Sequence, residues 1–258
     1  LQFFFFVYDG DMNDTAPLKN FWIGTALCLA AAFLAFSEAG QTGMLAFLNH
    51  GLTYMGVFFH EIGHAVFGWF FGYVSMPTFD FQNGGGMAWH LDRSWPLQII
   101  MGLAGAYGLY HLKNSDAVFF FWPLVILYLL LVAVSLTRYH EAMILFMGHG
   151  SEAIIGGFLL ARGFLNILLT RPQERWLNVF IGAFFIFNLE NFCWQLLYDA
   201  DFQAMYEAQK GSHGFGDLSR IAEFSFHWSQ NGVAIFLMIY TVFMAVGIPL
   251  LLRYLKSL

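Results

Sequence analysis

Apolar residues along this 258-residue chain gather in long unbroken runs, not in the narrow stripe that marks a helix lying on the surface of a water-soluble core. The runs cover residues 21–39, 44–71, 96–112, 118–136, 142–164, 176–198 and 233–252. At around 20 residues, a helix crosses the ~30 Å hydrocarbon layer of a bilayer. The pattern therefore predicts an all-α polytopic membrane protein of about seven transmembrane helices. One interruption stands out. Residues 72–95 alternate β-forming side chains around Gly84, Gly85 and Gly86, which predicts a short β-like hairpin or loop after the second helix. Irregular backbone at that point has to lie at the interface or line a wet cavity. Residues 1–19 read as an N-terminal tail, with Met12 a candidate start, and residues 20–258 as one integral membrane domain. Within that domain the metal helix is expected at about 44–71, a second polar helix at about 141–164, and a polar loop at 199–220.

Composition agrees with the runs: 59% of residues are hydrophobic and only 11% charged, far from the quarter-charged surface of a soluble domain. The net charge of -6 leaves no basic surface, so nucleic acid is excluded as a partner. Cys28 and Cys193 stand alone in apolar runs and read as packing residues. Lys and Arg divide almost evenly between the two sides, which gives the positive-inside rule nothing to orient.

Chemistry enters in the second run, as His60-Glu61-Ile62-Gly63-His64. On a helix His60 and His64 share one face, so two imidazoles can hold one Zn2+ while Glu61 flanks the open position as a general base. In lipid, three such groups within two turns are costly unless a metal offsets them, because an ionised carboxylate at the bilayer centre costs about 2.5–3.5 kcal/mol. A catalytic zinc needs a third protein ligand. His149 and Glu152, one helical turn apart and deep in an apolar run, are the expected source: either binds the metal and the other supports it. His213 and Asp217 form a further polar cluster in the 199–220 loop, where solvation is the commoner fate. His90 is expected at the surface, and His140 with Glu141 at an interface. His50, His111 and His227 lie near span edges. Asn188, with Glu190 and Asn191 near the end of its helix, is a candidate for binding a substrate backbone, as are Gly85 and Gly86.

Three features together resemble the site-2 protease family of intramembrane zinc metallopeptidases. They are His60-Glu61-Ile62-Gly63-His64-Ala65 in an apolar helix, the Gly72 turn into a segment bearing Gly84-Gly85-Gly86, and a Gly-rich helix with Leu103-Ala104-Gly105-Ala106. They cover about residues 50–110. The resemblance implies zinc on His60 and His64, Glu61 as base, and peptide-bond hydrolysis in a membrane protein or peptide substrate. That family takes its third ligand from an Asp-Gly motif on a later helix. No Asp-Gly follows the metal helix here, so the third ligand rests on the His149 and Glu152 reading. The expected function is thus an intramembrane zinc metallopeptidase in contact with membrane lipid, in the plasma membrane of a bacterium. A non-proteolytic metal-binding membrane protein or transporter is the first alternative, and a membrane di-iron oxidase the second.

Overall fold

The computed structural model describes residues 15–37, 40, 42–80, 85–114, 121–167, 169, 171–209, 216–226 and 228–256. Met12 and most of the N-terminal tail, Glu38, Gly84, His213 and His227 lie outside them. Within them the chain is mostly helical, with one two-stranded sheet. Nine helices follow in order: α1 (Thr15–Phe36), α2 (Gly43–Phe70), α3 (Trp95–Lys113), α4 (Phe121–Ser135), α5 (Tyr139–Phe164), α6 (Pro172–Tyr198), α7 (Ala200–Gln209), α8 (Asp217–Arg220) and α9 (Gln230–Lys256). A π-helical turn, Ile221–Phe226, continues α8. The stretch expected as a polar loop thus contains α7 and α8.

Strands β1 (Tyr73–Asp80) and β2 (Gly85–Arg93) pair antiparallel between α2 and α3, with Met76 opposite Trp89 and Phe79 opposite Gly86. Gly72 makes the turn into β1 at φ +91°, a left-handed backbone that glycine enters without Cβ strain. The hairpin is folded onto α2: Phe79 stacks on Phe58 at 5.1 Å and the Trp69 indole donates to Ser75 O at 2.7 Å. Its base is tied to neighbouring helices. Arg93 donates to Phe71 O and to Ser135 O, and Tyr73 OH donates to His140 Nε2 at 2.8 Å, because His140 Nδ1 is committed to Thr137 O. Burial, and then the negative charge of Glu141, push the Tyr73 phenol above its ordinary value, which keeps it a donor.

Close backbone approach sets the helix packing. A Cβ on Gly182 of α6 would lie 2.7 Å from Gly156 O of α5, and one on Gly157 would lie 2.3 Å from Met244 O of α9. Small residues let apolar helices meet closely where lipid provides no hydrophobic drive between them. The same device joins α2 to α5, where a Cβ on Gly63 would lie 2.1 Å from Met147 O. Two apolar clusters flank that contact. One joins α1, α5 and α6 through Ala31, Leu34, Leu160, Phe184 and Phe185; the other gathers Leu196, Tyr206, Leu218, Val233 and Leu237.

Three of the described helices are long and apolar enough to cross a membrane: Tyr139–Phe164, Gln173–Tyr198 and Gln230–Tyr254. The seven expected spans are not all seen among the described residues, which leave out 38–39 after α1 and 115–120 before α4. Within them Asn49, His50, His60, Glu61 and His64 interrupt the apolar run of α2, and three glycines dilute α3.

Candidate metal centre

The helical spacing of His60 and His64 puts both rings on the face of α2 that meets α5. Both are buried, at 6% and 5% exposure, with Glu61 at 5%. The room for two imidazoles comes from Gly148 on α5, where a Cβ would lie 2.5 Å from His64 Nε2 and 2.7 Å from His60 Cε1.

Each ring is oriented through Nδ1. His64 Nδ1 lies 2.7 Å from Ile144 O and His60 Nδ1 lies 2.9 Å from Glu152 Oε1. A carbonyl and an ionised carboxylate only accept, so both Nδ1 atoms carry hydrogen; when the rings are neutral, as metal binding requires, both Nε2 atoms then present lone pairs. Those two Nε2 atoms are 2.9 Å apart, and Asp217 Oδ2 completes a triangle with them at 3.1 and 3.2 Å. Three lone-pair atoms with no hydrogen among them repel one another unless a cation, a proton or a metal ion, lies between. Around a tetrahedral zinc with bonds of about 2.0–2.1 Å, ligand atoms sit about 3.3 Å apart, so the triangle matches the spacing of such a donor set. His149 adds to it: ligand atoms of His60, His149 and Asp217 lie within 4.8 Å of one another, a group that could hold a metal ion. Imidazole and carboxylate donors suit zinc and equally iron or manganese, so the donor set does not select the ion.

Asp217 arrives from a segment locked into the second apolar cluster. Leu218 beside it is fully buried, and its N–H donates to Tyr206 OH at 3.3 Å. A Cβ on Gly216 would lie 2.1 Å from Tyr206 Cζ, so only glycine fits there. Burial pushes the Tyr206 phenol well above its ordinary value, which keeps it protonated.

Glu152, expected as a metal ligand or as support for one, is placed against Nδ1 of His60, on the side away from the Nε2 triangle; its Oε1 also meets His149 Nδ1 at 3.1 Å. Glu61 lies beneath β2, where a Cβ on Gly86 would lie 2.5 Å from Glu61 Cγ and 2.7 Å from its Oε1. Gly85 faces open space. Asn188 is half-buried on α6 and is not among the groups gathered around His60; its neighbour Asn191 donates to Ala35 O at 3.0 Å.

His90 of β2 packs its Nδ1 side against Gly68 and Ser75, one turn beyond His64 along α2. Burial of that side, and then the positive charge of Arg220, push His90 below its ordinary value, against a smaller opposing pull from Asp217. Its folded pKa lies below the unfolded value of about 6.5, so the unfolded chain takes the proton first. Stability conferred by neutral His90 is full above about pH 6.5 and is lost as pH falls through the lowered folded value. A His90→Asn variant is expected to show a flatter unfolding midpoint across that window than the parent protein, measured by thermal unfolding in detergent.

Compared with known proteins, the chain matches no protein-family model, no curated protein and no solved structure.

Proposed function

We propose that this chain is an intramembrane metallopeptidase that hydrolyses peptide bonds of membrane or membrane-proximal substrates, and that it lies in the bilayer as a multi-pass protein. The observation that carries the reading is the convergence of His60 Nε2, His64 Nε2 and Asp217 Oδ2, with the Glu61 carboxylate on the next residue of the same helix. In this reading His60, His64 and Asp217 hold the ion, which we propose is zinc, with His149 beside them. When bound, a divalent ion there supplies Lewis acidity to water and to a scissile carbonyl.

The protein's own residues then do the rest. Glu61 accepts the proton as water attacks, and passes it to the leaving amine. A helical substrate hides its scissile bond, so the substrate has to be unwound. Strand β2 pairs with β1 along one edge, and Gly85 and Gly86 at its start carry no side chains, which lets an extended peptide approach as an added strand directly over Glu61.

The test is zinc content together with cleavage of purified membrane peptides by the parent protein and by Glu61→Gln. Loss of a general base is expected to lower turnover by about 10²–10⁴-fold with metal content unchanged. Unchanged cleavage removes Glu61 from the reaction. Metal binding without cleavage by the parent favours a metal-binding protein or transporter.

Gly86 yields a separate expectation. Gly86→Val suits a strand but drives a side chain into Glu61. Turnover is expected to fall about a hundredfold, the cost of an ångström-scale misplacement, while zinc content stays at the parent level. Equal turnover would show that the hairpin does not set the position of the carboxylate.

A further inference from the structure

Glu152 meets the centre from behind, on the Nδ1 side of His60. It is a carboxylate buried in the apolar interior of α5, and a single oxygen, Oε1, meets Nδ1 of two different imidazoles: His60 at 2.9 Å and His149 at 3.1 Å. The surrounding packing fixes it there. Ser151, the preceding residue, donates to Phe59 O at 2.7 Å and binds α5 to α2 next to His60. On the far side, Gly56 of α2 leaves the space that Glu152 Oε2 fills, since a Cβ there would approach to 3.2 Å. The two histidines of α2 are therefore steered unequally: His64 by the neutral carbonyl of Ile144, His60 by a charged oxygen.

From this geometry we infer that Glu152 is a positioning residue that clamps His60 and His149 together through one oxygen. It fixes His60 as the Nδ1–H tautomer, aims Nε2 at Asp217, and holds the His149 ring 4.3 Å, centroid to centroid, from that of His60. A carboxylate behind a ligating imidazole also raises the basicity of the ring, and losing such a partner typically costs 10–100-fold in metal affinity. An isolated buried carboxylate would be costly in this setting, and two N–H donors on one oxygen offset that cost. The inference rests on the reading that His60 and His64 hold a metal ion, and it is independent of whether peptides are cleaved.

The experiment uses the full chain in detergent, titrated with Zn2+ and, for its visible spectrum, with Co2+. Glu152→Leu removes the acceptor and is expected to weaken Zn2+ binding 10–100-fold and to change the Co2+ visible bands. Glu152→Asp keeps the charge but withdraws the oxygen by about one bond length. It covers the case in which the leucine variant does not fold, and is expected to weaken binding about tenfold. A purely structural Glu152 would shift the unfolding midpoint of the metal-free protein and leave affinity and spectrum as in the parent, which would overturn the inference. Failure of the parent itself to bind either ion would remove the metal reading and this inference together. Peptide cleavage is not a readout here, so an inactive protein that binds metal as described leaves the inference standing.

Discussion

Replacing Asp217 with alanine is expected to lower zinc affinity by roughly two to four powers of ten. Total binding energies of about 10–16 kcal/mol, spread over three or four ligands, assign about 3–5 kcal/mol to each. The fold around the residue should survive, because its segment is held by Leu218, the Tyr206 hydroxyl and the contact at Gly216, none of which uses the Asp217 carboxylate. Equilibrium dialysis of the parent and Asp217→Ala against buffered zinc gives the ratio. A variant that binds as the parent does would remove Asp217 from the donor set and return attention to His149.

Gly148→Ala should come close to that effect without touching a ligand. The added methyl would lie 2.5 Å from His64 Nε2, 2.6 Å from His64 Cε1 and 2.7 Å from His60 Cε1. Overlap with both rings forces at least one imidazole to swing away from Asp217, or α5 to retreat from α2. Retreat is resisted because Gly63 already meets Met147 O at the same crossing, and Ser151 bonds across it. The rings are therefore expected to move. Zinc affinity should fall at least a hundredfold, while the helix content of the metal-free protein, read by circular dichroism, changes little. Retained affinity would mean that the rings have room the structure does not show.

These two positions mark where sequence reasoning reaches its limit. His60, Glu61 and His64 are legible because an i, i+4 spacing becomes a shared helical face as soon as the helix forms. His149 and Glu152 are legible as a pair for the same reason, and because a charged group deep in an apolar run needs a partner. What spacing cannot say is which face of Glu152 meets which imidazole. That depends on the α2–α5 crossing, which two glycines set. Asp217 lies 153 residues beyond His64 in a short helix after a Gly-rich stretch. Its only sequence signal is an acidic residue in a polar loop, the type of residue that is usually solvated. The hairpin at residues 72–95 is visible from its alternation, but the choice of Gly86 over Gly85 as the residue facing Glu61 follows from strand register. The difference between seven expected spans and three long apolar helices has a similar origin. A sum over composition does not register that α2 is interrupted by polar side chains, among them Asn49, His50, His60, Glu61 and His64, along its length.

The central claim is that a metal ion belongs between His60, His64 and Asp217. X-ray absorption at the zinc edge on the purified chain tests it most directly. The prediction is one zinc per chain, nitrogen and oxygen neighbours at about 2.0–2.2 Å with the multiple scattering of at least two imidazoles, and an imidazole signal that is lost when His60 and His64 are both replaced. A protein that retains no zinc, or whose zinc has sulfur neighbours at about 2.3 Å, or whose spectrum is unchanged by that double replacement, would contradict it.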